Sequence, residues 1–564
     1  MRRLVLFALI LALGAAGATA PAPAAVAAPA AVAAEPVTTT NIPIPMSDGA
    51  VLRGDVHVPD AGKRYPVLLN MTPYGPATYF TTYLDEGYVH VNVDIRGTGR
   101  SGGALCIFCY REQHDVEEVI AWVARQPWSN GRVGMYGGSY QAITPLLGAA
   151  QQPPALKAIV PAVAYSDAYG DIVWHNGMFN ANFVTQWFGA QTALSMSGTS
   201  TTSDFQARAG QRLVSETRLA PWNDAFYKER AIYNKAHRIT VPVLHLGGWF
   251  DGFSRGTVRN FQDVASRHNR LIMSPCTHKG CGAPFDPLSP YTNVAPPGAA
   301  DPVLAWMDRF LKGKYNGIAA AAPVQYYDLG TSQWKTALNW PPARAKIRNF
   351  HLSGKSNAPA GSLNNGVLTV SRPDTVEAFA EDRYVYDPTT GTSEAAAKWG
   401  TVAASPHARL DQRPDEAHSL TYTTPVRRQP LTLAGPMELR FWASTTAEDT
   451  DFVAKVTDVA PDGSSTLLTT GYVRATHRRW DPARSKPAQP YLPNTRAADV
   501  SPGKVHQYRV DIWDIAHTVK PGHRLRLTIS SGDSANHEPI AQPALNAIFH
   551  DRAYRSRLIT TVIP

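Results

Sequence analysis

Cysteine is scarce in this chain, with four residues in 564. That is too few for a scaffold held together mainly by disulfides. Charge is also sparse, at 18% of residues, and the 54 basic side chains that outweigh 45 acidic ones to give +9 are dispersed rather than clustered. Dispersed charge of this size argues against a nucleic-acid surface and leaves only loose attraction to anionic surfaces. No internal repeat is visible, which excludes solenoids and propellers. After the first twenty residues no stretch is apolar for long enough to cross a bilayer as a helix. No ligand cluster calls for a metal, and no organic cofactor is expected. What is present is a chain 44% hydrophobic and long enough for two or three domains.

The N-terminus reads as a targeting segment. Arg2 and Arg3 precede the apolar run Leu4 to Ala16, and Ala18-Thr19-Ala20 offers a small-residue cleavage site. Residues 1–20 are thus expected to be a signal peptide, with an uncleaved anchor as the alternative, and the Ala/Pro-rich stretch 21–36 a tether. The mature protein is expected to be secreted or extracytoplasmic, without stable membrane insertion. In an oxidising compartment Cys106, Cys109, Cys276 and Cys281 become disulfide candidates. Structural clips within each pair are preferred, with Cys276–Cys281 bracketing a small loop, and cross-pairing between the two loops is the alternative. A redox or metal role for Cys106-x-x-Cys109 lacks the thioredoxin-like βαβ surroundings it would need.

Along the mature chain, short apolar strands alternate with helical stretches. Strand-like runs fall at Pro66–Met71, Val89–Ile95, Arg132–Tyr136, Leu156–Val163, Val241–Leu246 and Arg270–Ser274. Helical periodicity falls at Asp115–Gln126, near Ser254–Ser266 and at Asp301–Leu311. This alternation predicts an α/β fold with a mostly parallel sheet covered on both faces, over 37–166 and 239–318. Between them, 167–238 shows helical spacing and many aromatics, and is expected to form a helical cap. Phe179, Phe183 and Trp187 fall at i, i+4 and i+8, on one helix face. After 318 the pattern turns to period-2 alternation, as in Met437–Phe441 and Leu525–Ile529. An all-β C-terminal domain, a jelly-roll β-sandwich over 319–564, is expected.

The chemistry centres on Ser139 in Val133-Gly134-Met135-Tyr136-Gly137-Gly138-Ser139-Tyr140. A strand running into Gly-Gly-Ser and then a helix is how an α/β-hydrolase presents a nucleophilic serine. The usual G-x-S-x-G pattern is incomplete, since Gln141 holds its fifth position. A serine needs a base and an orienting acid, which follow in the order Ser, Asp, His on loops after late strands. Asp251 and His278 meet that requirement. His245 lies inside a strand and reads as a packed histidine. The Tyr140 N–H and the Tyr74 hydroxyl are candidate oxyanion donors. Trp174, Phe179, Phe183, Trp187, Trp249 and Phe250 are candidate substrate-binding aromatics.

These segments resemble those of the cocaine esterase-like hydrolases, relatives of the X-Pro dipeptidyl-peptidases and α-amino-acid ester hydrolases. The matching pieces are Thr72-Pro73-Tyr74, Asp94 to Gly103, Asn130 to Tyr140, Gly248 to Gly252, Asp449 to Lys455 and Gly522 to Leu527. The resemblance implies Ser139 as nucleophile, His278 as base, Asp251 as its orienter, and Tyr74 with the Tyr140 N–H as oxyanion hole. It also implies a hydrolase core, a helical cap and a jelly roll. The chain departs from the family at Ala142, where glycine is common, and in its cysteine-bearing loops. Three functions are open: an esterase acting on a small-molecule ester, a peptidase or amino-acid ester hydrolase reading a free amine, and a non-enzymatic scaffold whose jelly roll binds a polymer. The first is preferred for its aromatic cap. The second would need cap carboxylates such as Asp167, Asp171, Asp204, Glu216, Asp224 or Glu229 to face the substrate.

Overall fold

In the computed structural model, residues 36–75, 81–196, 217, 221–278, 298, 301–354, 361–372, 380–387, 411–540 and 542–564 are described. The expected signal peptide, most of the tether, the middle of the cap with Asp204 and Glu216, and Cys281 lie outside them. The first twelve strands are β1 (Val37–Pro45), β2 (Val51–Val58), β3 (Tyr65–Thr72), β4 (Val89–Asp94), β5 (Ser129–Gly138), β6 (Leu156–Ala162), β7 (Trp174–His175), β8 (Met178–Phe179), β9 (Val243–Gly248), β10 (Asn269–Ser274), β11 (Val324–Asp328) and β12 (Gln333–Ala337). The helices used below are α1 (Thr81–Asp85), α2 (Tyr110–Ala124), α3 (Tyr140–Ala149), α4 (Ala181–Met196), α5 (Ala225–Arg230), α6 (Ser254–Asp263) and α7 (Pro302–Leu311).

Among the described residues ten strands form one sheet in the order β1-β2-β4-β3-β5-β6-β9-β10-β11-β12. From β4 to β11 every neighbouring pair is parallel, and antiparallel strands finish both edges. Strands such as β4 and β9 are buried along their whole length. That is why they read as continuous apolar runs: both faces of a parallel sheet are covered by helices. The sheet runs further than the sequence suggests. β11 and β12 pair beyond β10, so residues 324–337 belong to this sheet rather than to the all-β part expected to start at 319.

The stretch Asp94 to Gly103, so prominent in the sequence, is scaffold. Arg96 binds Asp115 in buried ion pairs, and Arg100 spans Asp55 and Asp94. The turn after β4 is thereby fixed against β2 and α2. Helix α2 starts at Tyr110, five residues before the apolar periodicity begins, directly after the Cys106–Cys109 disulfide. That bond removes cross-pairing between the two cysteine loops. Cys276 is buried and no free thiol is found among the described cysteines.

The C-terminal strands form a second sheet of eleven strands, almost all antiparallel. The strand Leu431–Thr445 pairs with both His506–Val519 and Arg557–Ile563, and this second pairing closes a barrel. Its interior is packed with side chains such as Phe441, Phe452, Tyr508 and Leu527. Among the described residues no helix is long and apolar enough to cross a membrane.

Candidate active site

Ser139 sits between β5 and α3 with φ 60° and ψ −120°, a conformation that L-residues seldom adopt. Such strain, about 1–3 kcal/mol, persists only where neighbours over-determine it. Gly137 is required there: at φ +148° an added Cβ would lie 2.4 Å from Cβ of Gln141. The residue at the fifth motif position thus makes the first glycine obligatory. Gly138 is less constrained, since its added Cβ would meet nothing closer than 3.9 Å. The Ser139 N–H donates to the Ala162 carbonyl on β6, 3.0 Å away, which ties the turn to the sheet. Ala142 is buried in the first turn of α3, so its methyl is accommodated in packing.

Asp251 and His278 come together although they lie on loops after different strands. His278 Nδ1 is 2.7 Å from Asp251 Oδ1. The carboxylate is buried, and the other histidine nitrogen, Nε2, has no hydrogen-bond partner among the described residues. Two main-chain bonds lock the loops to each other: the Trp249 N–H donates to the Ser274 carbonyl and the Phe250 N–H to the Cys276 carbonyl. The His278 ring stands edge-on to Phe253, with centroids 5.2 Å apart. His245 is buried inside β9, and burial pushes its imidazole down to about 3, consistent with a packed neutral side chain.

Tyr74 reaches the serine. Its phenol interacts with the Ser139 side chain, and the Trp187 indole N–H donates to its oxygen at 3.3 Å. The residue is 41% exposed, but its hydroxyl end is enclosed, and burial pushes the phenol upward. Tyr140 begins α3, where main-chain N–H groups lack helical acceptors. Its own N–H is therefore free to meet an oxyanion.

The six aromatic candidates separate into three groups. Phe183 and Trp187, on α4, lie beside the candidate site: they stack on each other, Phe183 meets Phe253 edge-on, and Trp187 stacks against Tyr140. Phe179 is not on their helix, because it ends the β7–β8 hairpin before α4 begins, so the expected three-residue stripe is broken. Trp174 and Phe179 pack on each other inside the cap, with the Trp174 indole donating to the Thr217 carbonyl and the Tyr227 hydroxyl. Trp249 and Phe250 are corrections too, for they pack against Trp340 and the barrel rather than against Ser139's neighbours. Trp249 is buried against Trp340 and donates to the Tyr327 carbonyl, while Phe250 packs on Leu467 of the barrel. Sequence adjacency to Asp251 suggested them for the site, but the turn after β9 points Asp251 one way and its aromatic neighbours the other.

The described cap carboxylates are engaged elsewhere. Asp171 accepts the Ser166 and Asp167 N–H groups and pairs with Arg255. Asp167 and Asp224 cap their own turns, and Glu229 binds Arg230 and the Tyr110 N–H. A small apolar cavity of about 30 Å³ lies beside Tyr140's neighbours, among Phe108, Tyr165, Ile172, Trp187, Phe188 and Tyr227. A larger polar cleft of about 510 Å³ is bordered by Asp167, Arg259, Arg484 and Tyr491, and none of Ser139, Asp251 and His278 lines it.

One residue that motif reading missed stands out here. Glu112, on α2, is buried and accepts the Tyr140 hydroxyl at 2.7 Å. The only sequence signal for it was an acidic residue in the first turn of an otherwise amphipathic helix.

Comparison with known proteins follows the same division of the chain. Residues 48–280 match the family model described as X-Pro dipeptidyl-peptidase (S15 family), and 316–548 match the X-Pro dipeptidyl-peptidase C-terminal non-catalytic domain. The chain is similar to a cocaine esterase from Rhodococcus sp. (strain MB1 Bresler), 28% identical over 541 residues, covering 88% of this chain and 90% of that protein. Its fold is that of a CocE/NonD family hydrolase from Staphylococcus aureus (TM-score 0.76, 20% identity, 93% of this chain and 94% of that one). An α-amino acid ester hydrolase shares it equally (TM-score 0.76, 20% identity, 95% and 98%).

Proposed function

The chain belongs to the cocaine esterase-like and X-Pro dipeptidyl-peptidase-like serine hydrolases, and from that premise we propose that it cleaves neutral carboxylic esters through an acyl-enzyme on Ser139. Asp251 holds Nδ1 of His278 in the protonated tautomer, leaving the Nε2 lone pair as general base. The Ser139 oxygen adds to the ester carbonyl carbon as its proton passes to His278 Nε2. The oxyanion receives hydrogen bonds from the Tyr140 N–H and the Tyr74 hydroxyl. Collapse breaks the bond to the alcohol oxygen, which takes the proton from His278. Water then attacks the acyl-serine, giving a proton to His278, and the acid leaves as Ser139 regains its hydrogen.

The preference for a neutral ester rests on one observation: the cap presents Trp187 and Phe183 beside Tyr74 and Phe253, while its described carboxylates are spent on internal partners. A substrate ammonium would need a carboxylate left free. We read the barrel as the jelly roll of the resemblance, and the protein as exported; the Cys106–Cys109 disulfide supports an oxidising compartment.

The test is kinetic. Nitrophenyl butyrate is expected to be turned over in preference to an Ala-Pro anilide with a free amine. Preference for the anilide, lost when its amine is blocked, would replace the esterase reading by that of a dipeptidyl-peptidase. Ser139→Ala and His278→Ala are each expected to reduce kcat by roughly 10⁴–10⁶-fold, and near-normal turnover in either would remove the triad.

A further inference from the structure

We propose that Glu112 is a positioning residue of the oxyanion hole, holding the Tyr140 N–H in place through the Tyr140 phenol; this deepens the serine-hydrolase reading above and rests on it. The Tyr140 side chain acts as a lever. It is buried, it belongs to the residue that follows strained Ser139, and its hydroxyl donates to Glu112 Oε1 at 2.7 Å. The ring is fixed on three sides: Phe108 packs against it with centroids 4.1 Å apart, Trp187 stacks on it, and Tyr74 meets it edge-on. A hydrogen-bonded, enclosed phenol restricts the rotation of its own backbone, and with it the direction of the adjacent N–H.

Glu112 is itself held by a second anchor. Its Oε2 accepts the Phe108 N–H at 2.7 Å, and Phe108 lies at φ 57° between the disulfide-bonded Cys106 and Cys109. Arg230 from the cap donates to the Ile107 and Cys106 carbonyls, and Gln113 donates to the Phe108 carbonyl. One carboxyl therefore ties the disulfide loop to the residue beside the nucleophile. Among the described residues its side chain has no hydrogen bond to Ser139 or His278, and its link to the serine turn runs through the Tyr140 hydroxyl.

A buried carboxyl is an expensive way to satisfy two donors. Burial pushes it up to about 7, opposed by the Tyr140 and Phe108 hydrogen bonds and by Arg230, and reinforced by Asp115. Packing alone would be met by an apolar side chain of similar volume. The position of its two partners, at the nucleophile elbow and the site-wall loop, gives this group a catalytic reason to be there.

The experiment measures kcat, KM and Tm of the full chain on nitrophenyl butyrate for Tyr140→Phe, Glu112→Ala, Glu112→Gln and the double variant Tyr140→Phe/Glu112→Ala, with Ser139→Ala as control. Removing a whole oxyanion donor costs roughly 10²–10³-fold in kcat, so loosening one is expected to cost about tenfold, with KM little changed. Glu112→Gln keeps an acceptor for the phenol and should recover most of what Glu112→Ala loses. The double variant should be no slower than the slower single. A folded Tyr140→Phe enzyme with full kcat would overturn the proposal, even if no Glu112→Ala protein can be made. So would losses confined to KM or Tm. Full activity in Tyr140→Phe with an inactive Ser139→Ala sinks this inference alone, whereas an active Ser139→Ala sinks the hydrolase reading beneath it.

Discussion

The loop that carries Ser139 is braced by β6, α2, the disulfide loop and α4, whereas the loop that carries Asp251 draws on the barrel as well as on β10 and β11 of its own sheet. On the serine side the partners are Ala162, Glu112, Phe108 and Trp187, all within residues 106–187. On the acid side Trp249 packs on Trp340, Phe250 on Leu467, and Arg255, one helical turn beyond Asp251, binds Asp511 of the barrel. Arg255 also pairs with Asp171 of the cap, and Arg259 adds a second bond to Asp511. The difference teaches that the barrel is part of the active-site support. Without the barrel the loop bearing Asp251 would lose the Phe250 and Arg255 contacts, even though no barrel residue is assigned to the chemistry.

Substitutions can set the two sides against each other. The largest effect is expected at the acid itself: Asp251→Asn should lower kcat by about 10⁴-fold, since the amide favours the wrong imidazole tautomer. Full activity there would detach the acid loop from the chemistry altogether. Next comes Asp511→Ala, far from the serine, which leaves Arg255 and Arg259 without their shared carboxylate. Breaking a buried pair costs about 3–5 kcal/mol, and denaturant unfolding should show a loss near the lower figure because Asp171 still faces Arg255. If the barrel merely decorates the core, kcat of the folded variant will stay unchanged; a fall in kcat marks it as support.

On the serine side, stability should depend on pH through Glu112. Its carboxyl rises from an ordinary 4.5 to about 7 on folding, so the folded state binds the proton more tightly than the unfolded one. The stability this confers is full below about 4.5 and is lost as pH rises through about 7. Glu112→Gln should flatten that dependence, by about 2–3 kcal/mol between pH 4.5 and 8, in urea unfolding at a series of pH values. A profile unchanged by the substitution would show that other groups dominate. The smallest effect is expected for Trp187→Phe, which keeps the ring over Tyr140 but deletes the N–H near the Tyr74 hydroxyl. A single hydrogen bond of this kind is worth about 1 kcal/mol, so kcat should fall about fivefold, and no change would free Tyr74 from its cap partner.

Much of this arrangement was readable along the chain. The parallel strands announced themselves as short apolar runs because both their faces are buried, and Ser139, Asp251 and His278 fell on the loops where such a sheet presents its chemistry. The helical spacing of Phe183 and Trp187 matches their place on α4. Phe179 was misassigned because one hairpin residue can mimic a helical register, and Trp249 and Phe250 because proximity in sequence says nothing about which way a turn points its side chains. Strands β11 and β12 were missed because nothing in their periodicity distinguishes them from the strands of the barrel beyond, and only the pairing of β11 with β10 assigns them to this sheet.

The sequence by itself determined the local matters: which segments become strands and helices, where glycine is obligatory before the serine, and which residue types can do acyl transfer. These follow from periodicity, backbone sterics and the intrinsic chemistry of side chains, all properties of neighbours along the chain. Tertiary structure alone decided that Asp251 meets His278 at 2.7 Å, that Glu112 lies beneath Tyr140, and that the barrel backs the acid loop. Those pairings join residues 27, 28 and 256 positions apart. Burial and hydrogen bonding between such distant partners are set only when the layers close over one another.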